Sequence, residues 1–132
     1  MSLAVVTLSR EGWCIARRVA AALRPCDLFV HRQVTDATDV PAEEGGTDGD
    51  IPAIDAKTTG RFEVFDSVVE LTSVIFSKYR RLVYIMPTGV VVRAIASHVR
   101  DKLSDPAVVA VDVGGRWSVS LLSGHEGGAN DL

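Results

Sequence analysis

The chain is 132 residues long, 47% hydrophobic and 23% charged, which fits one globular domain of ordinary size and argues against a disordered chain. A net charge of −3 with acids and bases interspersed argues against a nucleic-acid or anionic-membrane partner. No apolar run approaches the ~20 residues of a membrane span. The start Met1-Ser2-Leu3-Ala4-Val5-Val6 has no basic flank or cleavage pattern, so a cytoplasmic protein is expected. The two cysteines, Cys14 and Cys26, have no metal-ligand spacing and read as reduced thiols.

Residues 3–8 are a short apolar run ending in Ser9-Arg10-Glu11-Gly12, which predicts a buried strand and a turn. From Gly12, Ile15, Val19, Ala22 and Leu23 recur at helical spacing, and Pro25 ends that helix. Asp27-Leu28-Phe29-Val30 reads as a second strand. Residues 36–60, in a run rich in Asp, Glu, Thr, Gly and Pro, read as a mobile loop or an insertion. Order is expected again at Phe65-Asp66-Ser67, with Asp66 as the N-cap of a helix. Val68, Leu71, Val74 and Ile75 give that helix its apolar face, and Lys78, Arg80 and Arg81 close its C-terminal end.

Residues 82–86 form an uninterrupted apolar strand, as expected when helices cover both faces of a sheet. Pro87-Thr88-Gly89 then turns the chain into a helix carrying Val92, Ile95, Ala96 and Val99. Residues 108–112 read as another strand, and Gly114-Gly115 predicts a hairpin into residues 117–122. The closing Ala129-Asn130-Asp131-Leu132 reads as the first turn of a further helix. Residues 1–132 are therefore expected to be one α/β domain of a longer polypeptide. Strands alternating with helices predict a mostly parallel sheet with helices on both faces. That is a Rossmann-like or flavodoxin-like three-layer sandwich with an antiparallel hairpin at its edge.

Ligands of such sheets bind beyond the carboxyl ends of the strands. This directs attention to two glycine-bearing turns. In Pro87-Thr88-Gly89 a helix begins with unpaired N–H groups suited to a carboxylate or phosphate, and Arg93 follows one helical turn later as a bidentate partner. The plainer reading is an ordinary strand-to-helix turn with Arg93 paired to a local Asp. In Ser123-Gly124-His125-Glu126-Gly127-Gly128-Ala129-Asn130 the glycines allow close backbone approach. His125 stands unobstructed in that loop, as a ligand contact or a proton carrier. The loop lacks the Lys-Ser/Thr of a Walker sequence and the spacing of a dinucleotide fingerprint. His31 reads as a surface residue and His98 as a helical one facing solvent or half-buried. Lys102 either adds positive potential to the cleft or pairs locally with Asp105. Neither a metal-ligand cluster nor a Ser-His-Asp triad can be placed.

Three stretches in order carry a resemblance: Thr88-Gly89-Val90-Val91-Val92-Arg93-Ala94-Ile95-Ala96, Asp101-Lys102-Leu103-Ser104-Asp105-Pro106-Ala107-Val108-Val109, and Leu121-Leu122 followed by the glycine-rich loop to Asn130. Together they resemble the N-terminal domain of the cobalt-precorrin-5A hydrolases of anaerobic cobalamin biosynthesis. Glu126 stands where that family commonly has an apolar residue, and Met86-Pro87 where it has small apolar ones. The resemblance implies a corrinoid substrate with several acetate and propionate arms and with cobalt already in the ring, so no cofactor or protein-bound metal is expected. It further implies opening of a δ-lactone with release of acetaldehyde, and a C-terminal domain of the same polypeptide as partner.

The two readings together assign substrate binding to Thr88, Gly89, Arg93, Lys102, Ser123, Gly124, Gly127, Gly128 and Asn130, and catalysis to His125. They also carry one geometric expectation, that the turns after Met86 and Leu122 open at the same rim and share one acid-binding pocket. Two alternatives stand beside them. One is a corrinoid-binding module whose chemistry resides in a C-terminal domain. The other is an unrelated phosphate- or nucleotide-binding α/β domain.

Overall fold

The computed structural model of the chain describes residues 2–34, 60–124 and 128–132. Its strands are β1 (Leu3–Thr7), β2 (Asp27–His31), β3 (Arg61–Phe65), β4 (Arg81–Ile85), β5 (Ala107–Val111) and β6 (Ser118–Leu122). Its helices are α1 (Arg10–Ala22), α2 (Val68–Ile75) and α3 (Thr88–Ile95), the last followed by a 3-10 turn at Ala96–His98. Among the described residues the strands form one sheet in the order β3-β2-β1-β4-β5-β6. The first five run parallel, and β6 returns antiparallel along β5. This is the Rossmann strand order with its last strand reversed, and it differs from the flavodoxin order.

Strands β1, β4 and β5 are apolar at nearly every position because both of their faces are covered. Alternation then sends neighbouring side chains to opposite layers. Leu3 and Val5 pack with Ala16, Ala20, Leu28, Val83 and Ile85 under α1. Ala4 and Val6 pack with Leu82, Tyr84, Val91 and Ile95 under α2 and α3. Each fully buried aliphatic side chain stabilises the fold by about 1.5–3 kcal/mol. Tyr84 is fully buried, and its hydroxyl shares a 2.8 Å hydrogen bond with that of Thr72. Burial pushes this phenol up to about 12 and keeps it neutral. Of the two free thiols, Cys14 is exposed and Cys26 is buried. Burial first, and neighbouring Asp27 second, push Cys26 up to about 11.

The structure corrects several local expectations. The segment preceding Phe65 is a strand, β3, and not the tail of a loop; the rest of the stretch read as loop or insertion lies outside the described residues up to residue 59. The N-cap of α2 is Ser67, whose Oγ accepts the Glu70 N–H at 3.2 Å, whereas Asp66 pairs with Arg32. Helix α2 ends at Ile75, so Lys78, Arg80 and Arg81 lie beyond its last turn. Its buried residues are Val68, Thr72 and Ile75, and Val74 faces outward at 49% exposure.

Helix α1 crosses the seam between β1 and β4 at Gly12, which is buried. A Cβ at Gly12 would stand 2.6 Å from Thr7 Oγ1, 3.2 Å from the Ile85 carbonyl oxygen and 3.3 Å from Ile85 Cγ2. Two of those neighbours belong to one buried strand end, and Thr7 has a short side chain, so neither yields easily. Gly12→Ala is expected to lower stability by about 1–3 kcal/mol, the usual range for overpacking, in urea or thermal unfolding. An unchanged midpoint would show that α1 is free to lift off the seam.

Candidate functional site

At the carboxyl edge, β1 and β4 are neighbours that lead to opposite layers, β1 into α1 and β4 into α3. This is the topological switch point, where open α/β sheets hold their ligands. The two helices begin there differently. In α1 the Ser9 Oγ accepts the Gly12 N–H at 3.1 Å, and Glu11 lies in the first turn. In α3 the N-cap is Pro87, with no side-chain cap and no acid in the first turn. The Val90 and Val91 N–H groups both donate to the Pro87 carbonyl, at 3.0 and 3.3 Å. The first-turn N–H groups of Thr88 and Gly89, which have no partner within a helix, thus sit at an exposed, positively polarised helix end.

Gly89 was expected to serve a close backbone turn. It lies inside α3, its φ is not positive, and a Cβ there would meet nothing within 4 Å. Glycine therefore leaves the approach to these N–H groups open; no strain at this position demands it. Arg93 stands in the last turn of α3, on the exposed side. Four residues separate it from Gly89, about 6 Å along the axis toward the amino edge.

Beside the switch point lies a set of contacts that sequence reasoning passed over. Arg32 Nε donates to Asp66 Oδ1 at 2.6 Å, and this hydrogen bond is the main reason the exposed Asp66 carboxyl is held below its ordinary value. His31 Nδ1 accepts the Gln33 backbone N–H at 3.0 Å, so the ring proton belongs on Nε2, which donates to the Asp66 carbonyl at 3.0 Å. The Gln33 side chain donates to the Leu8 carbonyl at 2.8 Å, tying the end of β2 to the loop that starts α1. The signal was the place of His31 at the carboxyl end of a parallel strand. Thr7, the last residue of β1, is fully buried, and its Oγ1 has no hydrogen-bond partner.

The second glycine turn lies elsewhere. Because β6 runs antiparallel, Leu122 pairs with Val108 near the start of β5, whereas the Met86 N–H donates to the carbonyl of Val111 at its end. The turns after Met86 and Leu122 therefore leave the sheet at opposite edges. This overturns the single shared rim expected for the turns after Met86 and Leu122.

At the amino edge the structure brings together Lys102, Ser123, Gly124, Gly128 and Asn130. Ser123 is buried with φ of 57°, and its hydroxyl donates to the Lys102 and Asp105 carbonyls at 3.4 and 3.3 Å. The loop is closed at its base. The Ala129 N–H donates to the Ser123 carbonyl and the Asn130 N–H to the Gly124 carbonyl, each at 3.1 Å. His125 and Gly127 lie outside the described residues. Among the described residues no group of three or more His, Cys, Asp or Glu side chains is placed to hold a metal ion, and no helix is long and apolar enough to cross a membrane.

With this geometry in place, comparison with known proteins is specific. The model of the family described as Cobalamin synthesis G N-terminal matches residues 70–132. Over 131 residues, 99% of the chain, the protein is 34% identical to a cobalt-precorrin-5A hydrolase of Salmonella typhimurium, covering 31% of that relative. It is 48% identical over 130 residues, 98% of the chain, to the enzyme of the same name from Priestia megaterium, covering 30% of it. The chain thus spans just under a third of the length of the curated relatives it matches. In fold it is similar to a solved homolog of cobalamin biosynthesis protein G from Sulfolobus solfataricus, with a TM-score of 0.57 at 18% identity over 98% of this chain and 31% of that one. Both glycine turns fall within the matched residues, so the match alone does not say which edge meets a ligand.

Ser123 was expected to bind substrate, yet its hydroxyl is taken up inside the fold. Ser123→Ala is expected to lower unfolding free energy by about 1 kcal/mol, the ordinary loss of a hydrogen bond. Urea denaturation measures this, and full retention of stability would return the hydroxyl to the list of ligand contacts.

Proposed function

We propose that this chain is the N-terminal domain of a cobalt-precorrin-5A hydrolase, and that its carboxyl edge receives an acetate or propionate arm of the corrinoid at the Thr88–Gly89 end of α3. The observation that carries the reading is the 34% and 48% identity to enzymes of that name across nearly the whole chain. The exposed, uncapped start of α3 at the switch point supports the choice of edge. In the reaction, water forms a bond to the lactone carbonyl carbon and the acyl–oxygen bond breaks, leaving a carboxylate and a hydroxyl. The freed hydroxyl then becomes a carbonyl as the carbon–carbon bond joining the two-carbon fragment to the macrocycle breaks, so that acetaldehyde leaves while the ring carbon keeps the electron pair and takes up a proton. The cobalt is part of the substrate, no further cofactor enters the reading, and a C-terminal domain and a cytoplasmic location come with it.

A second reading, a corrinoid-binding module whose chemistry lies in the other domain, is favoured by one observation. The titratable groups described beside the switch point are already engaged, the Asp66 carboxylate with Arg32 and His31 Nε2 with the Asp66 carbonyl. A chimera in which this chain replaces the matching 130 residues of the Priestia megaterium relative, assayed beside the 132-residue chain alone, separates the two. Turnover of cobalt-precorrin-5A by the chain alone supports a catalytic domain, and tight binding without turnover supports the module.

The two edges face away from each other, so one macrocycle does not meet both. Gly89→Asp places an acid in the first turn of α3, which favours the helix while repelling a carboxylate. In the chimera it is expected to raise KM at least about tenfold, the effect of roughly 1.4 kcal/mol of binding, with stability unchanged or higher. His125→Ala is then expected to leave kcat within a few-fold. A loss on the order of 10²-fold on His125→Ala, with Gly89→Asp silent, would seat the substrate at the amino edge and restore His125 as its acid–base group.

A further inference from the structure

The α1 layer is unfinished. Among the described residues, helix α1 covers β1, β2 and β4, while the same face over β5 and β6 meets only the turn formed by residues 128–132. Between that turn and the second half of α1 lies an open groove of about 290 Å³, with Val83, Val109 and Val111 on its floor and Val19 and Leu23 on one wall. Ser118 and Ser120 of β6 form its outer side. At about 30 Å³ each, roughly ten waters would fill such a space. Against valine and leucine walls they would find few of the polar partners that a buried water needs.

We infer that this groove is the seat of the polypeptide that follows this domain in its relatives, laid down as a helix with an aliphatic face toward Val109 and Val111. Two observations select that occupant. The matched relatives are about three times as long as the chain, and the family match is to an N-terminal domain, so in them a long polypeptide follows. The backbone also already takes helical form at the mouth of the groove. The Leu132 N–H donates to the Gly128 carbonyl at 3.1 Å, and Ala129 and Leu132 from that turn line the groove. A helix continued from this turn starts beside half-buried Val111 and exposed Ser118 and Ser120 and completes the three-layer sandwich. The inference rests on the family reading, through the length of the relatives.

The test is thiol labelling with a water-soluble maleimide. Ser120→Cys and, as a control on the other side of the sheet, Ser97→Cys are each introduced together with Cys14→Ser, which removes the exposed native thiol. Both proteins are read as the 132-residue chain and as the chimera defined above. Slow reaction of the buried Cys26 reports that each protein is folded. The expected result is labelling of Cys at position 120 at least about tenfold slower in the chimera than in the chain alone, with position 97 equally fast in both. Equal labelling at position 120 in a folded chimera overturns the proposal. So does protection already present in the chain alone, whether it rises with protein concentration, as for a second copy, or appears on adding corrinoid. Turnover by the chimera reports separately on the hydrolase reading: an active chimera with position 120 unprotected sinks the docking and leaves the function standing, and a protected but inactive one does the reverse.

Discussion

The placement of every residue after β5 depends on the reversal of the chain at Gly115. The Gly115 N–H donates to the Asp112 carbonyl at 2.8 Å and the Asp112 N–H to the Trp117 carbonyl at 3.0 Å, closing the turn. Gly115 has φ of +74°, a left-handed conformation that favours glycine, and a Cβ there would also displace the terminal methyl of Ile15, 2.8 Å away. With that turn made, β6 pairs antiparallel with β5 and returns the chain to the amino edge. A helical crossover at the same place would have made β6 parallel and delivered residues 123–130 to the carboxyl edge, beside α3. A local conformational requirement at one residue therefore decides which chemistry the two glycine turns can share.

The two edges that result are built differently. At the amino edge, Ser123 and Gly124 are clasped to Ala129 and Asn130 by backbone hydrogen bonds, and the Ser123 hydroxyl is turned to the Lys102 and Asp105 carbonyls inside the protein. At the carboxyl edge, the start of α3 keeps its N–H groups for solvent while the start of α1 is capped by Ser9. The close approach of Gly12 to Thr7 and Ile85 draws α1 down onto the seam between β1 and β4. That approach leaves the Thr7 hydroxyl buried without a partner, a cost of about 1–3 kcal/mol that the surrounding core must offset.

Much of the fold was legible in the sequence because both-faced burial leaves a plain mark. The continuous apolar runs of β1, β4 and β5 and the helical spacing from Ile15 to Leu23 each announce one element. Strand β3 was missed because it is an edge strand. Arg61, Phe62, Glu63 and Val64 alternate and are all exposed, and they follow a long polar stretch that reads as loop. The choice of Asp66 over Ser67 as the cap of α2 was an error of one residue between two good capping types, settled only by the ion pair with Arg32. The site fared worse for a different reason. The residue types were readable, and so was the hairpin, but the edge each turn belongs to is a property of strand direction. Treating the exit from β6 as if it were the exit from a parallel strand put the turns after Met86 and Leu122 at one rim.

The same reversal accounts for the unfinished α1 layer. In a parallel α/β sheet each new strand brings its own crossover helix, and the helices finish the faces as the sheet grows. Strand β6 arrives by a tight hairpin and brings none, so Val109 and Val111 gain a neighbouring strand without gaining a cover on the α1 side. The loop after β6 returns to that side, and the turn of residues 128–132 begins to close it with Ala129 and Leu132. Completion of the layer therefore falls to whatever follows the hairpin in the chain or packs against it. Under the proposed docking, β5 would join that contact to the start of the turn into α3, because the Met86 N–H donates to the Val111 carbonyl at its far end.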